Sequence, residues 1–112
     1  MQKADVVRLR HMLDAAREAL AFAQGRSRTD LDKDRMLVLA LAKSIEIIGE
    51  ASAKVSQEAR SAVSGLPWPS IVGMRNRLIH AYFDIDLDRV WDTITDDLPP
   101  LVTELKQSLR DL

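Results

Sequence analysis

Between Gly73 and Asp86 the chain reads G-M-R-N-R-L-I-H-A-Y-F-D-I-D, and the stretch Arg75 to Tyr82 concentrates its hydrogen-bonding chemistry. Arg75 and Arg77 offer planar, permanently charged donors that match phosphate oxygens. His80 titrates near neutral pH and can take or give a proton. Asn76 can fix a histidine tautomer or bind a phosphate or ribose oxygen. Together these are the groups needed to break a phosphodiester. No cluster of carboxylates, histidines or cysteines accompanies them in the sequence, so neither a metal site nor a cofactor is expected. Without a metal, the accessible reaction is attack by an RNA 2′-hydroxyl on its adjacent phosphate. That needs a base for the proton and a cation for the crowded phosphorane. One histidine does not readily serve as both base and acid, whereas two copies of the chain would supply two of each.

The spacing predicts a helix from Pro69 to about Tyr82. On it Ile71, Met74, Leu78 and Tyr82 share a core face, and Gly73, Asn76 and His80 share a cleft face. Arg75 reaches toward that cleft and Arg77 flanks it. A second reading fits the same spacing: a partly buried Arg-Asn-Arg-His network that only seals a dimer interface.

The elements that must hold this stretch are helical. Val6, Leu9, Leu13, Ala16, Leu20 and Ala23 draw one apolar stripe over a first helix, Lys3 to about Ala23, which Gly25 ends. His11 falls among solvated residues. Thr29 or Asp30 is expected to cap a long second helix from about Leu31 to Val55. Within it Met36 to Ala42 is apolar all round. One side of such a turn pair can be covered from within the chain, and a second copy is expected to cover the other. Lys43, Glu46, Glu50 and Lys54 form a polar stripe on this helix, from which Glu50 could reach Arg75 or Arg77. Gly49 implies a close approach by a neighbouring helix. Ser56 to Ser64 allows one or two helical turns. Pro67 and Pro69 bracket Trp68 and stiffen the approach to the motif, with Pro69 in a first turn. A last helix starts near Leu87, capped by Asp84 or Asp86, and Pro99-Pro100 should kink or break it.

With 112 residues this is a single domain, 1–112. Alanine and leucine outnumber the β-branched residues, and aromatics are 4%, which favours helix over sheet. The net charge of −1 excludes bulk attraction to nucleic acid, so phosphate binding must be local. Charge is also two-ended: beyond Arg77 come Asp84, Asp86, Asp88, Asp92, Asp96 and Asp97 against Arg89. Cysteine is absent, and neither a membrane span nor a signal segment is evident, so the expected setting is cytoplasmic. The fold class is all-α: an up-and-down four-helix bundle with an additional short helix, forming a homodimer through the Met36–Ala42 region and the motif helix.

Arg75-Asn76-Arg77-Leu78-Ile79-His80 resembles the Rx4H motif of HEPN domains, and His80-Ala81-Tyr82 the HxY extension of HepT-type toxins. Ile48-Gly49-Glu50-Ala51, Pro67-Trp68, the Gly-Met before Arg75, Asp86-Leu87-Asp88 with Trp91, and Asp97-Leu98-Pro99 extend the resemblance over essentially the whole chain. It implies a metal-independent endoribonuclease toxin, a HEPN-like homodimer whose two Rx4H motifs form one cleft. Arg75 and His80 would be catalytic and Asn76 supporting, with RNA as substrate. It also implies a cognate minimal nucleotidyltransferase antitoxin, MntA-like, that adds AMP to Tyr82 and so silences the toxin. Pro99-Pro100 departs from the single proline of the pattern, and Arg77 adds a cation that either helps bind RNA or pairs with Glu50. The alternative reading is a non-catalytic HEPN module that partners a nucleotidyltransferase, and a third is a helical adaptor indifferent to these side chains.

Overall fold

The computed structural model describes residues 1–81 and 84–110, and at His80 and Ala81 the backbone alone. The first helix, α1, is Lys3–Ala23, as its stripe predicts. It stops where Gly25 takes φ 74°, a left-handed conformation that costs glycine little. The expected second helix divides into a single turn, α2 (Asp30–Lys33), and α3 (Arg35–Ala53). The break falls at Asp34, whose backbone is extended and whose carboxylate accepts the Leu37 N–H at 3.1 Å. An N-cap thus wins over helix continuation, because it satisfies donors that otherwise lack partners at the start of α3. Thr29 occupies the cap position of α2 without a side-chain bond, and the Asp30 carboxylate instead accepts the Ser27 N–H at 2.7 Å.

Ser56 caps the short helix α4 (Gln57–Ala62) by accepting from Ala59 N–H. It is itself held by Asp5, which accepts both the Ser56 N–H (2.9 Å) and hydroxyl (2.7 Å). Two still shorter helices follow, α5 (Trp68–Val72) and α6 (Met74–Leu78). Strand β1 (Ile79–Ala81) then pairs antiparallel with β2 (Asp84–Ile85). Asp86 caps α7 (Leu87–Asp92) by accepting Arg89 N–H at 3.1 Å. A π-helical turn, Thr93–Asp97, leads into α8 (Leu98–Arg110). The prolines therefore do interrupt the last helix, as a wide turn before them. Pro99 and Pro100 cannot donate, and their rings would crowd the carbonyls four residues back. A π turn, closed by Leu98 N–H to Thr93 O, relieves that crowding.

The chain is mostly helical, consistent with the all-α class, with one two-stranded ribbon of five residues. One expectation is corrected here: over its described residues, 69–81, the single motif helix is instead α5, α6 and a short strand. The most extensive packing is α1 on α3, followed by α8 on α1, with α5 and α6 lying on α3. The core runs between these layers through Leu9, Met12, Leu41, Ile45, Ile48 and Leu105. The molecule is 19 Å deep, room for about two helix diameters of ~10 Å, so two layers are all that fit. Accordingly Leu37, Val38, Leu41 and Ala42 are buried, while Met36 stays 83% and Leu39 49% exposed. Among the described residues no helix is long and apolar enough to cross a membrane.

Gly49 is buried where α5 crosses α3, and a Cβ there would meet the Ile71 and Val72 carbonyl oxygens at 3.6 Å. The approach is close, yet a methyl fits. Gly49→Ala should therefore raise stability, by up to about 1 kcal/mol, read from urea unfolding. Asp5 generates a second prediction. The Ser56 backbone N–H, and then the Ser56 hydroxyl, hold its carboxyl below the usual carboxylate range. A depressed folded-state pKa contributes stability that is present above the unfolded value of about 3.9 and is lost as pH falls. Urea midpoints should therefore drop on acidification below about pH 4, and less steeply in Asp5→Asn.

Candidate functional site

The site stretch is set by what lies beneath and before it. Pro67 and Pro69 flank Trp68, whose ring is buried and whose indole N–H donates to the Val63 carbonyl at 3.0 Å. The Arg60 guanidinium lies 5.5 Å over the same ring and donates to the Ser52 carbonyl at the end of α3. From that fixed start α5 and α6 bury Ile71, Met74 and Leu78, all within 3% of full burial. These are three of the four residues assigned to the core face; the fourth, Tyr82, lies outside the described residues.

With that face pinned, Arg75, Asn76 and Arg77 are all exposed. The Arg75 guanidinium stands 3.5 Å from the Asn76 side-chain oxygen, a long bond, and among the described residues it pairs with no carboxylate. Arg77 folds back over Gly73 and donates to the Ser70 carbonyl at 2.7 Å. A Cβ at Gly73 would lie in ordinary contact with the Arg77 guanidinium, at 3.6 Å.

The helix ends before it reaches the histidine. Ile79 is extended (φ −119°, ψ 109°), and Asp86 N–H donates to Leu78 O at 2.7 Å, closing the ribbon against the end of α6. The expected helical face of Gly73, Asn76 and His80 therefore does not form, since a one-turn neighbour of Asn76 would need helix through residue 80. Ile79 pairs with Ile85 and Ala81 with Asp84, which leaves His80 as the extra residue of a β-bulge. Bulges break the ladder locally and re-aim a side chain, and they are common beside active sites. The structure thus joins Arg75, Asn76 and Arg77 on one short helix and sets the His80 backbone two residues past its end.

Glu50 is elsewhere. It is exposed on α3 and lines a shallow depression with Arg8, His11 and Lys54. Of the two readings of its stripe, a solvated face or a reach to Arg75 or Arg77, the described residues show no ion pair from Glu50 to either arginine, and Arg77 donates to Ser70 instead. Sequence reading missed the real electrostatic neighbour of Arg77, which is Asp97. Burial raises the Asp97 carboxyl above its usual range, Asp96 and Asp92 push the same way, and Arg77 only partly opposes them. The late run of aspartates was the available signal, but its position over α6 emerges only from the fold.

The sequence profile of the family described as ribonuclease HepT-like matches residues 12–108. The chain belongs to the HepT-like ribonuclease family. Among its relatives, a provisionally named RNase of Caldanaerobacter subterraneus subsp. tengcongensis is 37% identical over 91% of this chain and 91% of its own. A provisionally named RNase of Methanocaldococcus jannaschii is 33% identical over 95% of this chain and 98% of its own. A protein of Thermococcus cleftensis named as a probable ribonuclease HepT is 37% identical over 61% of this chain and 62% of its own. No solved structure matches the chain significantly.

Within this HepT-like chain the anchor and the charges separate cleanly. Leu78→Ala, which empties a site 1% exposed under α6, should cost about 2–5 kcal/mol in urea unfolding. Arg75→Ala removes an exposed side chain and should leave the midpoint unchanged. An Arg75→Ala protein as destabilised as Leu78→Ala would make Arg75 a packing residue.

Proposed function

We propose that the chain is a metal-independent endoribonuclease and the toxin of a toxin–antitoxin pair. The observation that carries this reading is the arrangement at α6 in a ribonuclease family. Two exposed guanidiniums ride on a helix pinned from below, and a histidine follows at a bulge. Arg75 binds the scissile phosphate and offsets charge on the phosphorane, with Asn76 and Arg77 supporting it. His80 accepts the proton of the 2′-hydroxyl as that oxygen attacks phosphorus. The P–O5′ bond breaks, and the departing oxygen takes a proton from a second histidine, His80 of the other copy. The products are a 2′,3′-cyclic phosphate and a 5′-hydroxyl end.

The dimer this requires is supported by the uncovered Met36 and Leu39 on α3, apolar side chains that two layers of helix leave facing water. Tyr82, two residues after His80, is the acceptor of AMP from an MntA-like minimal nucleotidyltransferase. A phosphate-bearing group there places negative charge where RNA phosphate must sit, which silences the enzyme. Glu50 has no part in this reading.

A second reading is favoured by one observation, the end of α6 at Leu78, short of the histidine. In it the chain is a non-catalytic HEPN module that partners a nucleotidyltransferase.

Purified protein in EDTA separates the two. The nuclease reading expects RNA cleavage that falls by about 100-fold or more in His80→Ala and in Arg75→Ala, a loss on the scale of a general acid–base group, while helicity and molecular mass stay unchanged. Full activity in His80→Ala sinks it, and failure to cut any RNA favours the binding module. For Tyr82, incubation with the nucleotidyltransferase and ATP should add AMP to the peptide containing it; modification mapped elsewhere refutes that choice. Light scattering should report a dimer that Leu39→Glu weakens.

A further inference from the structure

A groove of about 700 Å³ runs between α5–α6 on one side and the π turn with α8 on the other. That size lies within the range of about 300–1,000 Å³ typical of ligand sites. Its floor is apolar, made by Leu66, Ile71, Met74 and Leu101. Its rim carries Asp96, Asp97 and Glu104 against a single cation, Arg77. Among the described residues none of the three carboxylates makes an ion pair; Arg77 donates to the Ser70 carbonyl and offsets part of the charge at Asp97 from a distance. Glu104 is seated over the Gly65 turn so closely that a Cβ at Gly65 would come within 2.5 Å of its carboxylate oxygen. The bare backbone at Gly65 thus keeps that charge at the mouth of the groove. The Asp97 carboxyl is raised chiefly by burial; Arg77 opposes that shift, and Asp96 and Asp92 add to it.

This chemistry selects its occupant. A phosphodiester or an anionic membrane would meet three carboxylates against one cation. A bare polyamine would leave the apolar floor wet. The chain's own Arg26 and Arg28 are engaged with Asp30, Asp34, Asp32 and Asp88, so that loop of a second copy is no donor of charge. We infer that the groove docks a basic, amphipathic segment of a partner protein, with an apolar side chain over Met74 and Leu101 and lysines or arginines on Asp96, Asp97 and Glu104. This is helix-in-groove recognition, with the rim charges setting specificity and steering. The inference stands on the groove's own chemistry and does not depend on the nuclease reading. It would place a partner directly behind α6, one residue from Arg75.

The probe is a fluorescein-labelled amphipathic peptide of lysine and leucine, with a glutamate and leucine counterpart of equal length. Binding is followed by anisotropy and by the methyl resonances of ¹³C-methyl methionine in the full chain without RNA. The lysine peptide should bind and shift the Met74 methyl, leaving the exposed Met36 methyl in place. The combined Asp96→Asn, Asp97→Asn, Glu104→Gln variant should bind it about tenfold or more weakly, since each rim pair contributes up to about 1 kcal/mol. The triple variant also moves the formal net charge from −1 to +2, so the control is Asp14→Asn, Glu18→Gln, Glu58→Gln, which changes charge equally at exposed positions outside the groove and should bind the lysine peptide within about twofold of the parent. The inference is overturned if neither peptide binds or if both bind alike. It is also overturned if the triple variant binds undiminished, or if Met36 shifts in place of Met74.

Discussion

The burial of Ile71, Met74 and Leu78 against α3 is the constraint on which the exposed chemistry of this chain depends. Helices of five residues, as α5 and α6 are, cannot persist by themselves, because helix nucleation is unfavourable and few bonds follow it. Their order is tertiary. Each of the three side chains contributes roughly 1.5–3 kcal/mol by leaving water, far more than the local hydrogen bonds of so short a helix. Trp68 fixes where they begin, through its bond to Val63 and the stacked Arg60. Polar residues placed on this platform need no stabilising role, and Arg75 and Asn76 stand exposed on it with only a long mutual hydrogen bond.

What the sequence shows well is what period and punctuation encode. The stripe from Val6 to Ala23 and the glycine after it locate α1, which runs Lys3–Ala23 against an expected Lys3 to about Ala23. The 3–4 spacing of Ile71, Met74 and Leu78 identifies the buried face of the motif even though the helix is broken at Gly73. A cap at Asp84 or Asp86 reads from the apolar, helix-compatible run that follows, and Asp86 takes the position. The missed features have different origins. Asp34 sits among helix-compatible neighbours, and nothing local distinguishes a cap from a surface aspartate; only the turn before it decides. The ribbon is missed because Leu78 and Ile79 continue an apolar helical period. The choice between helix and strand there is settled by a long-range bond, Asp86 N–H to Leu78 O. The groove brings residues 65–77 beside residues 96–104, a juxtaposition no linear pattern carries.

The two-ended charge of the sequence becomes a two-sided site in the fold. On one side of α6 are Arg75 and Asn76, facing water without acidic neighbours among the described residues. On the other are Arg77, held to a backbone carbonyl, and the carboxylates of the π turn and α8. Anionic and cationic ligands would therefore meet this short helix from opposite sides. The proline pair contributes to this division, since the π turn it forces carries Asp96 and Asp97 toward the groove.

The central claim is that Arg75 and His80 drive attack by RNA's own 2′-hydroxyl. It is tested most directly by identifying the ends of RNA cut by the purified chain in EDTA, by mass spectrometry. The account predicts 2′,3′-cyclic phosphate and 5′-hydroxyl ends that vanish with His80→Ala. Ends bearing 3′-hydroxyl and 5′-phosphate, or unchanged cleavage by the His80→Ala protein, would contradict it.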